Sequence, residues 1–379
     1  MRNEPTPMIT IANFPNDLET EILARVPAKS LSQLKTTCKR WYTLFKDPKF
    51  VEKNKKMSSK SARETMLLNN HEVYSIAGDL HNSSSRVIES SPLDFTGKLS
   101  KDLKLYAMYH CDGLMLCVAN GSVAVWNPCT GQRKIIKPRT RYHRTDTFAL
   151  GYDSRRSYKI LRCGYNRNAE KKIAVECEMY DLGSASWRVL DSWTLDYGMY
   201  CSGVSLRGDT YFVAGDKEMG FFLMKFDFTA ERFVRLPLPF QSFDPEDTAV
   251  LSVVRDEKLS VCHQNIHTWS DVMRIWVTNK VEEEGKELTW RKDFVLSVDF
   301  AKFKLPCLSN VSSFLLDEEK KVAVCCEIFD EEMKGEDRTK IYIVGEDMYK
   351  QVYKDETVNA SLLSCPLVLT YVPSLVCIH

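Results

Sequence analysis

Three soft metal ligands lie within six residues in the segment Cys262-His263-Gln264-Asn265-Ile266-His267. Thiolate and imidazole are ligands that zinc prefers, so this segment could supply part of a metal site. No CxxC or HExxH motif elsewhere in the sequence supplies the remaining ligands. The segment also suits a strand that runs into a loop, where histidine is common. We favour that second interpretation and predict no metal and no other cofactor.

Sequence motifs with well-defined catalytic chemistry are missing. There is no GxG pattern for a dinucleotide and no GxxxxGK pattern for a nucleotide phosphate. The segment GVSLRG at 203–208 places its serine at the wrong spacing for the GxSxG nucleophile elbow, and it lies in a strand–turn–strand pattern. The sequence therefore predicts a protein that is not an enzyme.

Charged loops and aromatic side chains are the remaining candidates for binding. The basic segment KPRTRYHR, residues 137–144, could hold an acidic peptide or a phosphate by charge-assisted contacts. A solvated loop is the simpler interpretation of it, as it is of the acidic runs at 282–284 and 331–337. Four tryptophans could stack on a sugar if exposed, although packing between structural repeats explains them better: Trp126, Trp187, Trp276 and Trp290.

The overall composition is that of an ordinary globular protein. The 379 residues are 44% hydrophobic and 27% charged, and the net charge of +1 gives no reason to expect nucleic acid or membrane insertion. The 13 cysteines are an odd number and lie mostly in apolar runs, which predicts free thiols in a reducing compartment. We find no apolar core of a signal peptide and no membrane-spanning run, and therefore expect the cytoplasm, the nucleus or both.

The sequence divides into two regions with different secondary-structure patterns, and these would position any site. The first region is helical. Residues 14–56 have helical periodicity. A first helix, ended by Pro27, carries an apolar stripe made of Leu18, Ile22, Leu23 and Val26. Ser30 and Gln33 match a capping box for a second helix. Its stripe consists of Leu31, Leu34, Cys38, Trp41 and Phe45. Helices this short cannot bury such stripes well alone, so the module needs a partner.

The second region is a series of short strands that begins near residue 64. Strand groups recur at a period of 40–50 residues, which is typical of the four-stranded blades of a β-propeller. Full blades are predicted at 105–145, 146–195, 196–243, 246–303 and 308–355. Segments 64–100 and 360–379 would each add two strands to a sixth, composite blade that closes the ring and removes its open sheet edges. Seven blades or a distorted barrel are the alternatives.

Both regions of the sequence resemble domains of a known protein family. The pattern FPxDLxxEILxRVPxKSLxxLKxxCKxW, from Phe14 to Trp41, resembles the F-box, with mild departures at Phe14, Val26 and Thr37. The strand region is similar to the F-box-associated domain, type 1, of plant F-box proteins, in segments such as VWNPCTGQ, FALGYD, YDLGSASWRVL, GVSLRGDTY and DEEKKVAV. The resemblance implies an F-box at 8–54 and a mainly β, propeller-like domain at 64–379.

The resemblance also implies a function, the substrate receptor of an SCF ubiquitin ligase. The F-box would dock on a Skp-type adaptor, which joins it to a cullin and a RING subunit, and the β domain would capture an unidentified target protein. The alternatives are an F-box protein acting outside a ligase, and a propeller lectin or enzyme tethered to the adaptor. The residues expected to bind the adaptor are Pro15, Leu18, Ile22, Leu23, Val26, Pro27, Leu31, Leu34, Cys38 and Trp41.

This function leads to an expectation about how the helical module is held. Its first stripe should be partly exposed in the isolated chain, because it would face mostly another protein. The linker after Phe50 should let the module sit loosely against the β domain.

Overall fold

The structure is a computed structural model, and it describes most of the chain between Pro15 and Ile378. The described residues are 15–58, 63–76, 90–92, 104–119, 121–143, 145–167, 173–190, 193–194, 198–199, 203–216, 220–244, 247–265, 272–282, 287–303, 311–329, 338–354 and 366–378.

The first described segment, 15–58, folds into four helices. They are α1 (Asn16–Ala24), α2 (Ala28–Leu34), α3 (Lys39–Leu44) and α4 (Pro48–Ser58). Pro15 and Pro27 each stand at the N-terminus of a helix, where the missing N–H of proline costs no hydrogen bond. The four helices together form a small helical module with one apolar core.

The second predicted helix is in fact two helices. Cys38 adopts an extended backbone, with φ −152° and ψ 156°, which separates α2 from α3, and its Sγ accepts the N–H of Trp41 at the start of α3. The predicted capping box is also wrong, because Ser30 lies inside α2, which begins two residues earlier. After Pro48 the chain forms the three-turn helix α4.

The rest of the chain is built almost entirely from strands. The first three strands are β1 (Glu64–Asn69), β2 (Glu72–Ile76) and β3 (Ser90–Pro92). Blade 1 contains β4 (Leu105–Cys111), β5 (Leu114–Ala119), β6 (Ser122–Trp126) and β7 (Arg133–Ile136). Blade 2 contains β8 (Thr147–Tyr152), β9 (Tyr158–Arg167), β10 (Ile173–Asp181), β11 (Ser186–Val189) and β12 (Trp193–Thr194).

The next three blades follow the same plan. Blade 3 contains β13 (Gly198–Met199), β14 (Val204–Leu206), β15 (Asp209–Asp216), β16 (Gly220–Asp227) and β17 (Arg232–Leu236). Blade 4 contains β18 (Thr248–Val254), β19 (Lys258–Gln264), β20 (Val272–Val277) and β21 (Leu296–Asp299), followed by a 3-10 turn at Phe300–Phe303. Blade 5 contains β22 (Val311–Asp317), β23 (Val322–Phe329), β24 (Arg338–Gly345) and β25 (Met348–Lys354), and the last strand is β26 (Leu367–Tyr371).

The sixth blade joins the two ends of the strand region. Strand β26 pairs antiparallel with β1, with Leu68 opposite Leu367, so this composite sheet runs β26-β1-β2-β3. The six-bladed propeller predicted from the sequence is therefore confirmed, including its closure by the C-terminal segment. The predicted contribution of that segment was too large by one strand, because residues 372–378 form no strand and instead run towards the helical module.

A central channel is lined by the inner strands β4, β14, β18, β22 and β26. Apolar side chains fill the spaces between blades. One core cluster joins Leu116 and Val125 of blade 1 to Phe148 and Ile160 of blade 2, and similar clusters link other neighbouring blades. The sheets thus bury both of their faces against neighbours, which a single blade could not do.

The helical module is fixed to one end of the propeller, contrary to the expectation of a loose module. Leu375, in the C-terminal segment, is 3% exposed and belongs to the apolar core of the module together with Leu31 and Phe45. Asn127 of blade 1 anchors that segment, because its Nδ2 donates to the carbonyls of Ser374 (3.0 Å) and Val376 (2.7 Å). The two parts of the molecule therefore share one core.

Candidate functional site

Helix α1 has two apolar faces, one buried and one exposed. Leu23 and Ala24 are buried in the core of the helical module, at 5% and 0% exposure. Leu18 and Ile22 lie on the outer face and are 45% and 48% exposed. Residues four apart are neighbours on a helix surface, so these two side chains form one apolar patch. Burying large aliphatic side chains is favourable by about 25 cal/mol per Å² of apolar area, so the patch is a natural docking surface.

The ten side chains predicted to bind an adaptor fall into three groups in the structure. Four are exposed on the module: Pro15, Leu18, Ile22 and Cys38. Four are half-buried at its edges: Val26, Pro27, Leu34 and Trp41. Leu23 and Leu31 are buried inside the module and contribute to its stability. The helical spacing brought the ten onto one module but could not tell its outer face from its core.

A buried carboxylate ties α1 to α3. Glu19 is 3% exposed, and its Oε1 accepts the indole N–H of Trp41 at 2.7 Å. The guanidinium of Arg40 forms an ion pair with the same carboxylate and also donates to Asn16 at the start of α1. These contacts fix the orientation of α1 relative to α3, which in turn fixes the direction in which Leu18 and Ile22 project.

A second polar side chain ties α1 to α4. Asn54 is 2% exposed, and its Nδ2 donates to the carbonyls of Ala24 (3.0 Å) and Val26 (2.8 Å) at the end of α1. These carbonyls have no partner within the helix, so the amide satisfies groups that would otherwise be buried without a hydrogen bond. Asp47 caps α4 in a similar way, accepting the N–H groups of Lys49 and Phe50.

Sequence reasoning missed Glu19, Asn54 and the exposed ring of Tyr42. Glu19 and Asn54 are polar residues in helices, a pattern that indicates a solvated face, and nothing in the sequence signalled their burial. Tyr42 on α3 is 48% exposed and lies beside the ammonium group of Lys46, whose Nζ is 4.0 Å from the ring centroid. Its position next to the predicted Trp41 is the one signal that could have drawn attention to it.

The segment 262–267, considered above as part of a metal site, begins on strand β19 of the propeller. Cys262 is buried in the apolar core, where burial raises the pKa of its thiol to about 12. His263, the next residue on β19, faces the opposite side of the sheet and lies 3.3 Å from Asp247 (Nε2 to Oδ2), while His267 lies outside the described residues. Among the residues that the structure describes, no group of three His, Cys, Asp or Glu side chains could hold a metal ion.

The four tryptophans considered for stacking on a sugar pack within the propeller. Trp126 and Trp276 are 7% and 8% exposed. Trp187 and Trp290 are half-buried, and their indole N–H groups donate to the carbonyls of Lys137 and Pro237, both at 2.8 Å. The bond of Trp187 joins blade 2 to the chain that follows blade 1, and the bond of Trp290 joins blade 4 to the chain that follows blade 3.

Among the acidic runs, 331–337 and most of 282–284 lie outside the described residues.

A cavity of about 1040 Å³ lies between the helical module and the propeller. Its module side is formed by α4, with Glu52, Lys55 and Lys56. Its propeller side is formed by the β4–β5 turn of blade 1, the β14–β15 turn of blade 3 and the β18–β19 turn of blade 4. Ion pairs cross the junction beside this cavity. Arg156 reaches Glu52 at 3.4 Å, and Lys55 forms an ion pair with Asp112.

A helical docking module fixed to the end of a six-bladed propeller defines the class of an F-box protein with a propeller domain. The sequence matches the profile of the F-box domain over residues 11–53 and that of the F-box associated beta propeller domain over residues 64–378. The chain belongs to this F-box associated β-propeller family.

Relatives in Arabidopsis thaliana align over nearly the whole chain. One is 53% identical over 97% of this chain and 93% of its own length. An F-box/kelch-repeat protein is 51% identical over 97% of this chain and 96% of its own length, and an F-box protein is 38% identical over 97% and 98%.

Solved structures align far less well. An oligogalacturonate lyase in complex with manganese is 12% identical, with a TM-score of 0.37, over 65% of this chain and 63% of its own. A likeness of that size carries no argument about ligand or activity.

Among the described helices, none is both long enough and apolar enough to cross a membrane.

Proposed function

We propose that this F-box protein is the substrate receptor of an SCF-type ubiquitin ligase. The helical module, assigned to residues 8–54, docks on a Skp-type adaptor, which connects it to a cullin and a RING subunit. The propeller, assigned to residues 64–379, holds the target protein for ubiquitination. The receptor itself carries out no bond chemistry, and we place it in the cytoplasm, the nucleus or both.

The observation that carries this proposal is the exposed apolar pair Leu18 and Ile22. Both side chains are nearly half exposed on a helix whose opposite face is fully buried. Glu19, between them in sequence, is locked to Trp41 and Arg40, so the patch is held rigidly and loses little conformational freedom on binding. A rigid apolar patch of this kind suits a stable protein partner.

The fixed junction between the two parts supports the same role. A ligase receptor raises the effective concentration of target lysines near the ubiquitin-charged enzyme, and such a proximity effect depends on a geometry that does not drift. The shared core at Leu375 and the ion pair of Lys55 with Asp112 hold the module at one orientation on the propeller.

The experiment that tests the proposal changes the patch without changing the core. The full chain with Leu18→Glu and Ile22→Glu should lose co-purification with a Skp-type adaptor while keeping the unfolding temperature of the parent protein. The matched control is Val189→Glu with Ile135→Glu, which alters two side chains of similar exposure, 53% and 46%, on the propeller. The control should keep adaptor binding.

Cullin association and ubiquitin transfer form the second stage of the test. The intact protein, assembled with adaptor, cullin and RING subunit, should promote ubiquitination of a bound target, and the Leu18/Ile22 variant should not. Unchanged adaptor binding by that variant would contradict the assignment of the patch. Adaptor binding without any cullin in the complex would favour an F-box protein that acts outside a ligase.

A further inference from the structure

The described residues of the helical module lie on one face of the propeller. The direction of strand β8 shows which loop lies on the opposite face of the propeller. Its last residue, Tyr152, lines the cavity beneath α4. The strand begins at Thr147, and six residues of extended chain span roughly 20 Å, so the loop that precedes it emerges on the face away from the module. The chain between blade 1 and blade 2 is residues 137–146, and its described part, residues 137–143 with 145–146, is here named the distal loop; Arg144 lies outside the described residues.

The distal loop is held in place by a buried arginine. Arg162 of β9 is 5% exposed, and its Nε donates to Asp146 at 2.8 Å. Its two terminal nitrogens donate to the hydroxyl of Thr140 (2.6 Å) and to the carbonyl of Arg141 (2.9 Å). The first residue of the loop is fixed as well, because the carbonyl of Lys137 accepts the indole N–H of Trp187. The backbone of the loop is thereby ordered before any partner arrives.

Tyr142 adds an apolar anchor to the distal loop. Its ring is 6% exposed and lies edge-on to Phe148, at 5.5 Å between ring centroids, with the guanidinium of Arg162 4.8 Å from the ring centroid. The neighbouring side chains of the loop, by contrast, are exposed: Lys137, Arg139, Thr140, Arg141 and His143. One buried ring thus turns the basic residues on both sides of it towards solvent.

The described residues of this surface carry a net positive charge after their internal ion pairs are subtracted. Arg162 is paired with Asp146, and Arg139 is paired with Glu178 at 2.9 Å, so these four charges cancel. In the described part of the chain, the ammonium group of Lys137 and the guanidinium of Arg141 have no carboxylate within ion-pair distance. Two cations on a rigid backbone, on the face away from the module, fit a negatively charged partner.

We propose that the distal loop is the docking surface for an acidic, Asp- and Glu-rich segment of the target protein. This inference rests on the proposed function, since it names the kind of target that the receptor holds. Lys137 and Arg141 make charge-assisted hydrogen bonds to carboxylates of the segment, and the fixed loop backbone limits the entropy lost on binding.

The test uses the full chain and a fluorescent peptide of about twelve residues that alternates Glu and Ser, with binding followed by anisotropy at several salt concentrations. The test variant is Lys137→Glu with Arg141→Glu. The control, Arg232→Glu with Lys292→Glu, also reverses one arginine and one lysine, both exposed, on blades 3 and 4. Because reversing both charges replaces two attractions with two repulsions, the test variant should bind about tenfold more weakly, and the control should stay within about twofold of the parent.

The other outcomes overturn the proposal. Equal weakening by the two variants would mean that the peptide senses net charge alone. Binding of a phosphoserine peptide but not of the glutamate peptide would assign the loop to phosphate recognition instead. Adaptor co-purification is measured on the same samples, so a failure of the ligase role appears there, independently of peptide binding.

Discussion

Lys55 on the last helix of the module and Asp112 in the first hairpin turn of blade 1 form an ion pair that joins the two parts of the molecule. The side chain of Asp112 is 6% exposed, and its other oxygen accepts the hydroxyl of Tyr158 at 2.6 Å. Arg156 approaches the same oxygen at 3.4 Å. One carboxylate therefore serves two cations and a hydroxyl at the junction.

We predict that Asp112→Asn weakens the junction. Asparagine has the same shape and tolerates the positive φ of this position, 55°, but it cannot balance Lys55 and Arg156. The loss of charge-assisted hydrogen bonds should lower the free energy of unfolding by about 1.5–3 kcal/mol, measured by denaturant titration. Asp347→Asn is the control, because Asp347 is 89% exposed and its pair with Lys302 should contribute less than about 1 kcal/mol. Equal effects of the two substitutions would contradict the prediction.

Leu375 is predicted to stabilise the helical module from outside it. Leu375→Ala removes a buried side chain from the core shared by Leu31 and Phe45, at an expected cost of about 2–5 kcal/mol. The helical circular-dichroism signal should then disappear at a lower temperature than the β signal. Val189→Ala, at a position 53% exposed, should leave both transitions in place. A single unshifted transition in Leu375→Ala would show that the module does not depend on the C-terminal segment.

The sequence predicted the propeller well because its signals are local. Each blade needs four short apolar strands and turns between them, and these recur in the chain with a period that can be counted. Tyr342, for example, is fully buried and lies in the short apolar run IYIVG, which is visible in the sequence as a strand. Ring closure followed from the need to pair sheet edges, and the pairing of β26 with β1 confirms it.

The junction could not be predicted, because it depends on contacts between distant residues. The segment VPSLVCI resembles another strand by pattern, yet Leu375 completes a core more than 300 residues earlier in the chain. The outer and inner faces of α1 were likewise indistinguishable, since Ile22 and Leu23 are adjacent and equally apolar. Which of them is buried depends on where α4 and its Asn54 lie.

Gly113, beside Asp112, is predicted to be required for the approach of the C-terminal segment. A Cβ at this position would lie 2.2 Å from the Cβ of Ser374 and 3.1 Å from the carbonyl oxygen of Val372. Gly131 is a matched control, because its φ of 72° is close to the 82° of Gly113 but it has open space around it. Both alanine variants suffer the same backbone strain, and the clash should make Gly113→Ala less stable than Gly131→Ala by about 1–3 kcal/mol. Equal stabilities in thermal unfolding would mean that the segment moves aside freely.

His110, at the mouth of the central channel, should make the stability of the protein depend on pH. Its Nε2 accepts the N–H of Gly113 at 3.1 Å, which requires the neutral ring. Burial lowers the pKa of His110 in the folded state, an effect that the nearby Asp256 and Asp112 oppose and that Lys55 reinforces.

The sign of this pH dependence follows from the difference between the two states. In the unfolded chain a histidine has a pKa of about 6.5, so below that pH the unfolded state binds more protons than the folded state. The free energy of unfolding should therefore be highest above this pH and fall as the pH decreases towards the folded pKa, by up to about 1.4 kcal/mol per pH unit for one group. His110→Gln keeps an acceptor near the Nε2 position and cannot titrate, so it should flatten the decline measured by denaturant titration between about pH 7.5 and 5.5. The decline that remains belongs in part to His263, whose pKa burial also lowers. An unchanged slope in His110→Gln would show that His110 does not contribute.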